Sequence, residues 1–226
     1  MDIRKIKQKI SFLISLILLF LLVNSCNNPD KQVNSTNEKT NQDFIKIIPK
    51  PRNGLINPFY ERAKEYSIKA GLNIIEDGFD SIFIRIWYPN IDTIRVLDFK
   101  KKYSIWAGEL NVIVYDQRGD STRIINKISG RIFPKSGLPF FIDSIISKGI
   151  TTLPDSWDLP VYSLSTHSYF LYVEIATTTK YRIYTYGIPY EPTGIREVAS
   201  IMDIMKFIET ELGILSLDKY YFLKLK

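Results

Sequence analysis

The sequence has one cysteine and one histidine in 226 residues. A single thiol excludes an intramolecular disulfide and a cysteine-rich zinc site, and a single imidazole excludes a multi-histidine metal centre. There is no Gly-x-Gly-x-x-Gly, no phosphate-binding glycine loop and no Gly-x-Ser-x-Gly elbow, so the usual signatures of nucleotide binding and serine-hydrolase chemistry are missing. No apolar run reaches the roughly 20 residues that span a bilayer as a helix. What is present is enough for a core. Hydrophobic residues make up 45% and aromatics 13%, which excludes a disordered, collagen-like or multi-span chain.

The longest apolar run is at the start. Arg4, Lys5, Lys7 and Lys9 are followed by Ile10 to Val23, broken only by Ser11 and Ser15. A basic start and an apolar core of about 14 residues are the parts of a signal peptide. Val23, Asn24, Ser25 and Cys26 come next. This resembles the lipobox of bacterial lipoproteins: Val at the first position and Ser at the third fit it, and Asn24 at the second departs from it. The resemblance implies cleavage before Cys26, a diacylglycerol on its sulfur and an acylated amino group. Three acyl chains exceed what stable anchoring to a membrane needs. The expected organisation is a signal peptide over 1–25, a lipidated Cys26 with a flexible tether over 26–43, and one globular domain over 44–226. Residues 27–43 are rich in Asn, Lys, Thr and Ser and hold no aromatic. They cannot bury enough surface to offset chain entropy, and 17 such residues stand a domain roughly 20–25 Å off the membrane.

Half of the net positive charge belongs to the leader. Residues 1–25 hold four of the 30 Lys+Arg and one of the 24 Asp+Glu, so the net charge falls from +6 to +3. That is no footprint for nucleic acid. Asn27 lacks the acidic residue of the inner-membrane retention pattern, and few acids follow. The expected location is therefore the outer membrane, with the domain facing the periplasm.

From Phe44 on, patterning predicts an α+β domain: an antiparallel sheet of about six strands with N-terminal, middle and C-terminal helices packed on one face. Asn57-Pro58 opens a helix that Gly71 closes, with Phe59, Ala63, Tyr66 and Ala70 at helical spacing. Alternation predicts strands at 82–88, 93–99, 110–114, 122–132, 169–176 and 180–188. Residues 136–148 form a short helix. Thr193 caps the last one, whose stripe is Ile195, Val198, Met202, Met205, Ile208 and Leu212, ending at Gly213.

Candidate chemistry is sparse. His167 has Ser163, Ser165 and Ser168 nearby and Asp155 and Asp158 upstream, but a triad is built in space rather than along the chain. Carboxylates gather in the turn of Glu76, Asp77 and Asp80, and Asp116 and Asp120 flank Gly119 without the full calcium-loop pattern. The last hairpin is the most informative segment. Pairing Glu174 with Arg182 around a loop at 177–179 sets Tyr172 opposite Tyr184 and Phe170 opposite Tyr186. All six then share one face. That face is either a second core layer under the C-terminal helix, or an open surface that stacks on a sugar, a peptide or a partner.

Four short motifs follow in order: Trp106-Ala107-Gly108-Glu109, Leu153-Pro154-Asp155, Tyr172-Val173-Glu174 and Tyr181-Arg182-Ile183-Tyr184-Thr185-Tyr186. Over residues 80–210 this is similar to small uncharacterised bacterial envelope lipoproteins, a resemblance that implies no activity. The expected function is a non-catalytic, membrane-anchored envelope lipoprotein that binds a partner protein or glycan, with no cofactor. The alternatives are an envelope-polymer hydrolase using His167 or a carboxylate pair, and a structural or inhibitory cap on a larger machine.

Overall fold

The structure, a computed structural model, describes residues 43–49, 58–90, 92–118, 121–159, 169–188 and 194–213, all within the compact unit Gln42–Lys226. The signal peptide, Cys26, the tether up to residue 42, Asn57, Gly119, Asp120, His167 with its neighbouring serines, and Thr193 lie outside the described residues.

Among the described residues, seven strands form one sheet in the order β1-β7-β6-β2-β3-β4-β5. β1 is Ile45–Ile47, β2 Ile82–Pro89, β3 Thr93–Lys102, β4 Ile105–Arg118, β5 Ser121–Arg131, β6 Tyr169–Thr177 and β7 Lys180–Ile188. Every pairing is antiparallel except β1 with β7. Three α-helices accompany them among the described residues: α1 (Pro58–Lys69), α2 (Leu138–Ser147) and α3 (Arg196–Leu212). The α+β class stands, with one strand more than expected. Alternation could not show β1, because three residues are too few for a period.

The helices do not share a face. Phe59, Tyr60, Ala63 and Tyr66 of α1 pack on Phe83, Trp87, Val96, Ile113, Tyr172 and Tyr181. Phe141, Ile142 and Ile145 of α2 and Val198, Ile201, Ile204, Met205 and Ile208 of α3 pack on Ile84, Ile86, Leu97, Phe99, Val173 and Tyr184. α1 thus covers one side of the sheet, and α2 with α3 the other. The physical reason is visible in β2, which is apolar on both faces: Ile84 and Ile86 point one way, Phe83 and Trp87 the other, and all four are buried. A central strand of this kind needs cover on both sides. The stripe of α3 also differs from expectation, since Ile201 and Ile204 are buried while Met202 is exposed.

The register of the last hairpin differs by one residue. Glu174 faces Ile183, Val173 faces Tyr184 and Ile175 faces Arg182. The loop is Thr178-Thr179, two residues rather than three, held by Thr177 Oγ1 accepting from the Lys180 amide at 3.1 Å. Side chains alternate with period two, so a slip of one moves a whole strand's set to the other face. Phe170, Tyr172 and Glu174 accordingly lie on the α1 side, and Arg182, Tyr184 and Tyr186 on the α2–α3 side. The single six-residue face does not exist.

The β3–β4 hairpin turns through Tyr103 and Ser104, both with positive φ (50° and 71°). Left-handed backbone costs an L-residue about 1–2 kcal/mol, and such two-residue turns favour Asn-Gly. Tyr103 is 86% exposed and packs on no core residue. Replacing the pair with Tyr103→Asn and Ser104→Gly is expected to stabilise the domain by about 1 kcal/mol, read as a higher midpoint in urea.

Candidate functional site

The centre of the α1 side of the sheet carries charge. Arg85, in mid-β2, lies directly across from Asp98 of β3 and Glu174 of β6. Its Nε donates to Asp98 Oδ1 at 2.6 Å and its Nη2 to Asp98 Oδ2 at 3.0 Å, a two-pronged pair. Nη1 donates to the Asn73 carbonyl at 2.9 Å and to Ser67 Oγ on α1 at 3.3 Å, and stands 3.9 Å from Glu174 Oε2. Glu174 is held from two further sides: Trp87 Nε1 donates to Oε2 at 2.6 Å, and the Tyr181 hydroxyl to Oε1 at 2.8 Å. Burial pushes the Glu174 carboxyl above the usual carboxylate range, against the pull of Arg85, Trp87 and Tyr181. The same burial, with Glu174 alongside, pushes the Tyr181 phenol up.

This network lies beneath a shallow surface pocket lined by Tyr60, Lys64, Ser67, Ile74, Ile75, Glu76, Glu174 and Tyr181. Glu76 stands at its rim. The Tyr60 hydroxyl and Lys46 Nζ (3.0 Å) donate to its Oε2, and Lys64 Nζ lies 3.0 Å from Oε1. Partial burial works against the charged form of Glu76, but hydrogen bonds from Tyr60, Lys46 and Lys64 outweigh it and bring the carboxyl down to about 2. Every oxygen of both carboxylates is therefore engaged. Glu76 is one of the acids of a turn in the sequence; its pocket partner Glu174 lies opposite Ile183 and Arg85 rather than Arg182. The group Glu174 does meet, Arg85, had its own signal. A lone arginine in the apolar alternation of Phe83, Ile84, Ile86 and Trp87 must find a buried anion, and pairing across the turn after Pro89 puts Asp98 beside it.

The other predicted residues have structural partners. Phe170 and Tyr172 sit under α1, their ring centroids 5.0 and 5.1 Å from that of Phe59. On the opposite side, the Tyr184 hydroxyl donates to the Ile150 carbonyl at 2.6 Å, and its ring meets Tyr186 edge-on at 5.9 Å. Arg182 donates to the carbonyls of Thr151 and Leu153 and lies 4.9 Å over the Tyr184 ring. Asp155 completes this seam. Its Oδ1 accepts from the Trp157 amide, capping the short 3-10 helix Ser156–Asp158, and its Oδ2 accepts from the Thr185 amide of β7, each at 2.8 Å. The Leu153-Pro154-Asp155 and Tyr181 to Tyr186 motifs thus meet in space: one seals the outer edge of the strand formed by the other. Trp106 is half-buried against the α2–α3 core, and Gly108 lies where a Cβ would come 3.1 Å from Leu138. Among the described residues no three His, Cys, Asp or Glu side chains are grouped to hold a metal ion.

No family model, curated protein or solved structure matches the chain.

Two expectations follow from this geometry. Removing one partner of a buried ion cluster leaves the others uncompensated. Arg85→Met, which strands Asp98 and Glu174, is expected to cost about 3–5 kcal/mol in urea unfolding. Glu174→Gln, which keeps the shape and removes a charge, costs less, about 1–3 kcal/mol. The second concerns pH. Burial raises the Asp155 carboxyl to about 6, against its amide hydrogen bonds, from an ordinary 3.8. The folded form then holds the proton more tightly than the unfolded chain. The stability this contributes is full below about pH 4 and is lost as pH rises through about 6. Urea midpoints from pH 4 to 8 are expected to fall for the wild type relative to Asp155→Asn. A constant difference between the two across that range contradicts the assignment.

Proposed function

We propose that the chain is a membrane-anchored envelope lipoprotein acting as a non-catalytic binding or accessory protein. The observation that carries this reading is the run from Ile10 to Val23 ending in Asn24, Ser25 and the single cysteine, Cys26. A lone thiol immediately after a signal-peptide core is where lipidation needs one. The anchor is then the lipid on Cys26, the membrane is the outer one, and the domain faces the periplasm with a protein or glycan as its partner.

The hydrogen bonding in the pocket speaks against a hydrolase built on its carboxylate pair. A hydrolase built on a carboxylate pair needs one group free to give or take a proton at the substrate. Glu76 and Glu174 are the pair that shares a pocket, and their carboxyls are shifted in opposite directions, as acid and base partners are. Yet each of their oxygens already accepts a hydrogen bond or an ion pair from the chain itself. They hold the fold's charged centre and its rim.

Metabolic labelling with a clickable fatty acid tests the anchor. The wild-type chain is expected to take up label and to fractionate with the outer membrane, and Cys26→Ser to do neither. Equal labelling of both overturns the reading.

A further inference from the structure

Beside the pocket over Glu174 stands an ammonium group from the chain itself, against three of the residues that line it. Lys46, the middle residue of β1, places Nζ 3.0 Å from Glu76 Oε2, 5.6 Å from the centroid of the Tyr60 ring and 5.8 Å from that of Tyr181. Two aromatic faces and a carboxylate around one cation are the elements by which proteins select amines. Lys64 faces the same carboxylate from α1, 3.0 Å from Oε1 and 6.0 Å from the Tyr60 ring centroid. Tyr181 in turn donates to Glu174 beneath it. The cage is thus rigid at its base and built from three separate elements.

The strand that delivers Lys46 is the least secured in the sheet. β1 has three residues, each of them exposed, and pairs on one side only among the described residues, in parallel with Lys180, Tyr181 and Arg182. Parallel pairing is the weaker kind per residue. Its other seats are few. Phe44 lies over Gly78, where a Cβ would come within 2.9 Å of the ring, and Ile48 is half-buried against the α1-side core. An element with so little burial opens at a small fraction of the global unfolding free energy. When it opens, it vacates the ammonium cage and the edge of β7 together.

We propose that Tyr60, Glu76 and Tyr181 form a binding site for the lysine of an extended peptide, that Lys46 fills this site in cis, and that the peptide takes the place of β1 beside β7. The peptide is extended because β7 offers it a ladder, with the Thr179 carbonyl that now accepts from Ile45 at 2.9 Å. Its lysine lies opposite Tyr181, the register Lys46 holds. Flanking side chains are loosely specified, since Ile45 and Ile47 point into solvent at 55% and 40% exposure. The inference deepens the binding reading and rests on it for the existence of a partner; the lipid anchor plays no part in it.

The test uses the full-length chain in detergent and a fluorescein-labelled peptide with the sequence of residues 43–49. Fluorescence anisotropy is expected to show this peptide binding the Lys46→Ala chain about tenfold more tightly than the wild type, because the cis occupant no longer competes. A peptide with alanine in place of its lysine, or the added substitution Glu76→Gln, is expected to abolish that gain. Hydrogen exchange is expected to be faster at the amides of Ile45, Lys46 and Ile47 than at those of β2. Absence of binding to Lys46→Ala, equal binding of the lysine and alanine peptides, a preference for an acidic peptide drawn to Lys46 and Lys64, or exchange in β1 as slow as in β2 each overturns the proposal. If it fails while the wild-type chain still captures one stoichiometric protein from its envelope and Cys26→Ser does not, the cage is wrong and the binding function stands.

Discussion

A full positive charge at the middle of an apolar sheet constrains everything around it. Arg85 is 0% exposed on the central strand β2, and a guanidinium cannot shed its charge, so the fold must supply anions and acceptors on every side. Asp98 comes from β3, Glu174 from β6, Ser67 from α1 and the Asn73 carbonyl from the segment after it. Four separate pieces of chain are therefore brought to one point. Trp87 and Tyr181 are then fixed by Glu174, and Tyr181 forms the floor of the pocket. Desolvating three charges gains little net stability over a well-packed apolar alternative. Its effect is on choice of arrangement: a β2–β6 pairing shifted by one residue would put Arg85 opposite a hydrocarbon.

The two sides of the sheet have different tasks. The α2–α3 side is a largely apolar core, and on it Arg182, Tyr184 and Asp155 bind the 150–157 segment to β7. The α1 side is mixed. Aromatic rings of α1 lie over Phe170 and Tyr172 at one end, the charged centre lies in the middle, and the pocket opens beyond it. β7 is covered along its outer edge by two different devices, β1 at Lys180 to Arg182 and the Asp155 carboxylate at Thr185. An uncovered edge is an invitation to strand pairing. The first cover is three residues of backbone; the second is one side chain anchored to a capped turn.

How much of this could be read beforehand follows from the range of each interaction. Helix ends were legible because their causes are local: Gly71 and Gly213 take the positive φ that stops α1 and α3, at 60° and 65°. Most strands were legible because alternation needs only about six residues. The two faces of the sheet were misassigned because the hairpin register depends on the loop, and Thr178-Thr179 carries no Gly or Asn to announce a two-residue turn. One residue's difference separated Glu174 from Arg182 and gave it to Arg85. β1 was not legible because Ile45-Lys46-Ile47 is too short to show a period, and only β7 gives it a partner. The site was therefore half legible. Glu174 and its aromatic neighbours stand out and Arg85 carries a local signal, while Lys46 acquires meaning only through partners farther along the chain, the nearest of them Tyr60.

The position of β2 also joins a local pairing to a long-range one. Its partner on one side, β3, follows after a tight turn, so the β2–β5 meander can form as soon as residues 82–131 are available. Its partner on the other side is β6, and Trp87 meets Glu174 across 87 residues. Without β6, the β2–β5 meander would have an open edge at β2, and Arg85 would have Asp98 as its one carboxylate partner. Non-local closure of this kind is slow, and exposed strand edges in the interval invite wrong partners. A sheet lacking β6 would therefore be open to pairing with other strands. The charged centre makes it selective as well, because a strand that fails to bring a carboxylate to Arg85 leaves that charge without its second anion.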